Sequence, residues 1–135
     1  MMKLGYVTLY VDDIPTAIEF YKKVLGLTVR FTHESGMYAE METGDTVLAF
    51  SHHELATQLV PQGYQRAHPD NEALGMQLGF EVENVTEMYR KALKHGASTI
   101  APPEVKPWNF ESAMIKDPTG HLVEFCKPVH AVNPS

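Results

Sequence analysis

The sequence predicts an α+β protein made of two similar βαβββ modules, and three observations lead to this fold class. A strand-to-helix pattern occurs at residues 6–14 and again at residues 77–85. Short alternating segments typical of strands follow each helix. The length of 135 residues suits one ordinary domain. We therefore expect residues 1–135 to form a single domain.

The module boundaries follow from where these patterns stop. Module one is predicted at about residues 3–51 and module two at about residues 75–127. The connector between them, about residues 52–74, is polar and broken by prolines, with one short helix expected near Glu54 to Leu59. Residues 128–135 are predicted to form a loose tail.

The first strand of each module alternates between an apolar and a mixed face. The apolar face must meet the following helix, which leaves Tyr6, Thr8 and Tyr10 on the opposite face in module one. The same alternation leaves Gln77 and Glu81 in module two. These mixed faces do not pack on the helices and are left to line something else.

Both predicted helices have a 3.6-residue apolar period and recognisable ends. Asp13 is expected to cap the first helix, and Asn84 with Glu87 forms a capping-box pair for the second. Gly26 and Gly96 then end the two helices.

Each helix is followed by three predicted strands. In module one they cover residues 27–32, 37–42 and 46–50, with a hairpin turn at 43–45. In module two they cover residues 98–101, 111–116 and 121–126, with a turn at Asp117-Pro118-Thr119-Gly120. A proline-stiffened loop that carries Trp108 and Phe110 is expected over residues 102–110.

Composition and motifs disfavour several function classes. The net charge is −6 and the basic residues are scattered, so we expect no nucleic-acid partner. Cys126 is the one cysteine, which fits a reducing compartment, and the N-terminus lacks the apolar stretch of a signal peptide or membrane span. We expect a cytoplasmic protein without membrane association. No phosphate-binding glycine turn or nucleophile-elbow motif is present, which disfavours nucleotide cofactors and hydrolase chemistry.

Four segments carry a family resemblance: Val11-Asp-Asp-Ile14, Phe20-Tyr21, Leu25-Gly26-Leu27 and Asp117 to Phe125. With the doubled βαβββ unit, they make the chain resemble the vicinal-oxygen-chelate superfamily of glyoxalases, bleomycin-resistance proteins and extradiol dioxygenases. The resemblance implies a curved mixed-sheet half-barrel cup with helices outside, as in dihydroxybiphenyl dioxygenase. It also implies a small-molecule ligand between the modules and a homodimer.

The resemblance further implies four metal-ligand positions, one on the first and one on the last strand of each module. Here they are occupied by Tyr6, about Ala49, Gln77 and Glu124. Only Glu124, weakly supported by the Gln77 amide, is a suitable ligand, and a catalytic zinc site needs about three protein ligands. We therefore expect no cofactor, and a divalent metal on Gln77 and Glu124 is the alternative.

The candidate ligand-binding residues are aromatic and polar side chains expected on or beside the inner surface. They are Tyr6, Thr8, Tyr10, Gln77, Trp108, Phe110 and Glu124. Trp108 is expected either to stack on a planar or cationic ligand or to plug the barrel end. Glu124 is a candidate general base, and the other interpretation is a carboxylate satisfied by hydrogen bonds from Tyr or Gln side chains.

Three functions agree with these observations. The first is a metal-free protein that binds a small, partly aromatic or cationic molecule. The second is a metal-dependent lyase or isomerase of the glyoxalase type that uses Glu124, and the third is a subunit whose pocket is filled by its own side chains.

Among the histidines, His52 and His53 form the one cluster to consider. This pair is interpreted either as a metal or acid-base site or as an exposed turn.

Overall fold

The computed structural model describes residues 1–129, so residues 130–135 of the expected tail lie outside the described part. The elements in chain order are β1 (Tyr6–Val11), α1 (Ile14–Leu25), β2 (Val29–Thr32), β3 (Tyr38–Glu42), β4 (Val47–His52), α2 (His53–Leu59), β5 (Gln77–Glu81), α3 (Val85–Lys94), β6 (Ser98–Val105), β7 (Phe110–Lys116) and β8 (Leu122–Pro128). None of the helices within residues 1–129 is long and apolar enough to cross a membrane.

The two modules have the same strand order. One four-stranded sheet runs β1-β4-β3-β2 and the other runs β5-β8-β7-β6. The first strand of each module pairs in parallel with the last, and the remaining pairs are antiparallel. Neither sheet closes on itself. The predicted α+β fold of two βαβββ modules is confirmed.

Both predicted N-cap residues are in place, and the C-cap of α3 is His95, next to the predicted Gly96. Asp13 accepts a hydrogen bond from the Thr16 amide at 3.0 Å, and Asn84 accepts one from the Glu87 amide at 3.0 Å. Gly26 has φ of +69°, a left-handed conformation that ends α1 at low steric cost. The short helix expected in the connector is α2.

The core lies between the helices and the outer faces of both sheets and is continuous across the modules. Its largest fully buried apolar side chains are Tyr21, Phe20, Phe50, Phe125, Met41 and Ile115. The opposite, inner faces are more open: Tyr6 is 55% exposed, while Leu9 on the other face is 3% exposed. The predicted alternation of β1 is therefore confirmed.

The predicted end of one strand was wrong by four residues, and the other predicted strand bounds differ by two residues or fewer. We expected the last strand before Trp108 to end at Ala101, but β6 continues through Pro102 and Pro103 to Val105. The prolines are tolerated because β6 is an edge strand whose pairing with β7 shifts register at this point.

A buried carboxylate ties the modules together. Asp117, 1% exposed, accepts a hydrogen bond at 2.5 Å from the hydroxyl of Tyr21 in α1. Its other oxygen accepts bonds from Thr119 and from the His121 amide. Burial, and then Asp117, raise the pKa of Tyr21 well above its usual value. The Asp-Pro-Thr-Gly turn is thus a structural joint as well as a hairpin.

Candidate functional site

Both modules line several cavities, and two of these, called the seam cavities below, include inner-face residues of β1 or β5. The first has a volume of about 280 Å³ and is lined by Thr8, Leu9, Tyr10, Tyr64, Gln65, Ala67, Leu74, Met76 and His121. The second, of about 300 Å³, is lined by Leu4, Val7, Thr43, Thr46, Val47, Leu48, Gln77, Leu78, Gly79 and Phe80. Both modules contribute to each cavity, and the connector contributes to the first.

The connector packs tightly against module two where it covers the first cavity. Lys116 donates to the backbone oxygens of Asn71 at 2.7 Å and Pro69 at 3.3 Å. Gly120 has φ of +99°, and a Cβ at this position would lie 2.4 Å from the backbone nitrogen of His68. Only glycine permits this approach. The connector therefore forms an ordered wall of the first cavity.

His53 lies beneath this wall and is 1% exposed. Its Nδ1 is 2.6 Å from the Tyr64 hydroxyl oxygen, and the two rings are nearly parallel. Its Nε2 has no hydrogen-bond partner within the described residues and lies 3.9 Å from Asp12 Oδ1. Burial lowers the pKa of His53, and the nearby Asp12 opposes this change.

Several ionisable side chains surround Asp12 beside His53. Arg66 Nη1 lies 3.8 Å from one carboxylate oxygen of Asp12, and His68 Nε2 lies 3.9 Å from the other. Burial raises the pKa of Tyr64, and Arg66 opposes the effect. Of the notable histidine pair, His53 is thus buried, whereas His52 caps α2 by accepting a bond from the Glu54 amide at 3.1 Å.

Glu124 lies on the inner face of module two and is held by neutral donors. One carboxylate oxygen accepts from Gln77 Nε2 at 3.1 Å, and the other accepts from Ser112 Oγ at 2.6 Å. A Cβ on Gly79 would lie 3.8 Å from the first of these oxygens, at an ordinary van der Waals distance. The geometry corresponds to a carboxylate satisfied by hydrogen bonds.

The four family metal-ligand positions do not supply a metal's donor set. Tyr6 and Ala49 offer no carboxylate or imidazole, and the Gln77 amide nitrogen points to Glu124. Across residues 1–129, no three His, Cys, Asp or Glu side chains converge in a group that could hold a metal ion. The residues present therefore do not fit the family's metal centre.

Module one has an inner carboxylate that was not among the predicted site residues. Glu40 on β3 accepts from Arg30 Nε at 3.0 Å and from the Tyr38 hydroxyl at 2.7 Å. Burial, followed by the bond to Glu40, raises the pKa of Tyr38 to about 12. The alternation of β3 and the opposite charge of Arg30 were the signals available in the sequence.

The predicted ligand-binding residues fall into separate groups. Thr8 and Tyr10 line the first cavity, and Gln77 lines the second and contacts Glu124. Trp108 is 67% exposed in the β6–β7 turn, and neither it nor Phe110 lines the two seam cavities. Tyr64 and His121 also line the first cavity and were not predicted, because a loop residue and a turn-flanking histidine carry no periodic signal.

Comparison with known proteins identifies the class. Residues 3–125 match the model of the Glyoxalase/Bleomycin resistance protein/Dioxygenase superfamily, and the chain belongs to this family. It is 30% identical over 128 residues to the uncharacterized protein YraH of Bacillus subtilis strain 168, covering 93% of this chain and 98% of YraH.

Two solved structures share the fold. A glyoxalase/bleomycin resistance protein/dioxygenase family enzyme from Burkholderia phytofirmans PsJN has a TM-score of 0.81 at 22% identity, covering 94% of this chain and 99% of the other. A glyoxalase-related enzyme from Fulvimarina pelagi has a TM-score of 0.84 at 18% identity, covering 99% and 94%. At these identities the likeness concerns the fold alone.

Proposed function

We propose that this family member is a metal-free binding protein that holds a small, partly aromatic molecule between its modules. The observation that carries the proposal is the first seam cavity, because module one, the connector and module two each supply part of its wall. Binding sites in proteins are concave, largely apolar and formed with a few polar groups.

The lining of this cavity suits an aromatic ligand. Tyr10 and Tyr64 pack edge to face, with ring centroids 5.1 Å apart. Leu74 and Met76 add apolar surface, and Thr8 adds a hydroxyl. A volume of about 280 Å³ lies just under the usual lower range for ligand pockets, which favours a compact molecule.

We also propose how the protein assembles and where it is located. We expect a homodimer in the cytoplasm, because half-barrels of this class often pair across a two-fold axis and the single thiol of Cys126 suits a reducing environment. Sedimentation that shows only monomer at micromolar concentration would argue against the dimer.

Ligand-observed NMR with a panel of aromatic and cationic fragments tests the binding function. Thr8→Phe would fill the cavity from the inner face of β1, so we expect it to abolish binding. Thr32→Phe on the exposed edge strand β2 is the matched control and should bind as the wild type does. Absence of any bound fragment, or binding unaffected by Thr8→Phe, would overturn the proposed site.

A metal titration separates this function from the glyoxalase-type lyase or isomerase. The protein is exposed to zinc, nickel, manganese and iron and its metal content is measured, with Glu124→Gln treated in parallel. We expect no stoichiometric metal in either protein. Near-stoichiometric metal that is lost in Glu124→Gln would favour the lyase instead.

A further inference from the structure

The protonation of His53 follows from its surroundings. Its Nε2 lies 3.9 Å from the negative carboxylate of Asp12, which attracts an N–H and repels a lone pair. The neutral ring therefore carries its proton on Nε2, and Nδ1 is an acceptor. The Tyr64 hydroxyl, 2.6 Å away, must donate to Nδ1, so its oxygen keeps only lone pairs, which Arg66 and a further donor can share.

His121 also donates through its Nε2, to a backbone carbonyl. Its Nε2 lies 2.9 Å from the backbone carbonyl of Tyr10, and because a carbonyl only accepts, Nε2 donates. The Nδ1 atom of the neutral ring is then an acceptor. His121 lines the first cavity, and within residues 1–129 no hydrogen-bond partner is found for its Nδ1.

The described lining of the first cavity includes no Lys, Arg, Asp or Glu side chain. An ammonium ion would find no direct counter-charge there, and its desolvation would be costly. A neutral donor loses less hydration and meets two acceptors. A ligand without a donor would leave those acceptors unpaired.

We propose that the first seam cavity selects compact neutral aromatic molecules that carry an O–H or N–H donor, and that Tyr64 Oη and His121 Nδ1 accept from it. This inference rests on the proposed binding function and names its ligand class. Phenols and N–H heteroaromatics belong to this class; their isosteres without the donor do not.

Calorimetric titration with a matched ligand pair, p-cresol and 4-fluorotoluene, tests the inference. One net hydrogen bond predicts that the wild type binds p-cresol roughly three- to tenfold more tightly. Tyr64→Phe keeps the ring and removes one of the two acceptors, so this preference should fall. Tyr89→Phe removes a hydroxyl that bonds Thr99 outside both seam cavities and should retain it.

The outcomes are distinguishable. If both compounds bind the wild type equally, the donor preference is wrong and the binding function stands. If neither compound nor any other aromatic fragment binds, the binding function fails with it. Should Tyr64→Phe unfold, His121→Leu removes the other acceptor and must also reduce the preference; a folded variant that keeps the full preference would contradict the assignment of its acceptor.

Discussion

The two modules share one topology but use their inner carboxylates differently. In module one, Glu40 lies on β3 and is paired with the guanidinium of Arg30. In module two, Glu124 lies on β8 and accepts hydrogen bonds, within residues 1–129, from the neutral donors Gln77 and Ser112. The first charge is compensated within its own sheet, whereas the second has no opposite charge among these partners. Repetition of the fold has therefore kept strand order without keeping side-chain chemistry.

The β-turns that precede the last strand of each module also differ between the modules. The turn at residues 43–45 is exposed, whereas the turn at residues 117–120 is largely buried, bonded to α1 and packed against the connector. Module two thus supplies the joint that holds the molecule together, and module one supplies Thr8 and Tyr10 to the cavity. Four predictions test this contrast.

The largest effect is expected for Gly120→Ala compared with Gly44→Ala. Both glycines have positive φ, of +99° and +103°, but only the Gly120 Cβ would collide with the backbone of His68. We expect losses of unfolding free energy of about 4 kcal/mol at Gly120 and about 1 kcal/mol at Gly44. Urea denaturation measures both, and equal losses would show that the connector is not held here.

The next effect compares Asp117→Asn with Asp45→Asn. The amide at position 117 cannot accept all of the bonds from Tyr21, Thr119 and His121, so buried donors lose their partner. We expect a loss of about 3 kcal/mol for Asp117→Asn and less than about 0.5 kcal/mol for the exposed Asp45→Asn. Thermal and urea unfolding provide the measurement. A loss below 1 kcal/mol at position 117 would contradict its role as the joint.

A smaller effect concerns acid stability. Burial lowers the pKa of His53 from the usual 6.5, so the unfolded chain takes up a proton at a higher pH than the native protein does. The neutral His53 therefore stabilises the native protein above about pH 6.5. This stabilisation is lost as pH falls through the folded pKa, and the unfolding free energy decreases by at most about 1.4 kcal/mol per pH unit.

Urea unfolding between pH 7 and pH 5 measures this slope in the wild type, His53→Gln and His95→Gln. The slope of unfolding free energy against pH should differ from that of the wild type in His53→Gln and match it in His95→Gln, because His95 is exposed. An unchanged slope in His53→Gln would show that this ring does not titrate as expected.

The smallest effect compares Glu40→Gln with Glu124→Gln. The first substitution removes the charge that Arg30 faces, whereas the second leaves an amide beside two neutral donors. We expect Glu40→Gln to lower the melting temperature more than Glu124→Gln, whose change in unfolding free energy should stay within about 0.5 kcal/mol. Calorimetry that shows the reverse order would mean that Glu124 has a charged partner in solution.

Much of the fold could be predicted from the sequence, because the relevant signals are local. The alternation of β1, the caps at Asp13 and Asn84, and the Asp-Pro-Thr-Gly turn depend on neighbours within a few residues. Less of the candidate site could be predicted. Thr8 and Tyr10 were placed on the correct face, but Trp108 was expected beside the pocket and lies exposed in a hairpin turn.

The sequence by itself determined the two modules, their helix ends and the inner faces of their first strands, since periodicity and capping act over short distances. Only the tertiary structure decided that the connector forms a wall of the cavity. The bonds of Lys116 to Pro69 and Asn71 span 47 and 45 residues, and the bond between Tyr21 and Asp117 spans 96. Such contacts depend on how distant surfaces meet, which no local pattern encodes.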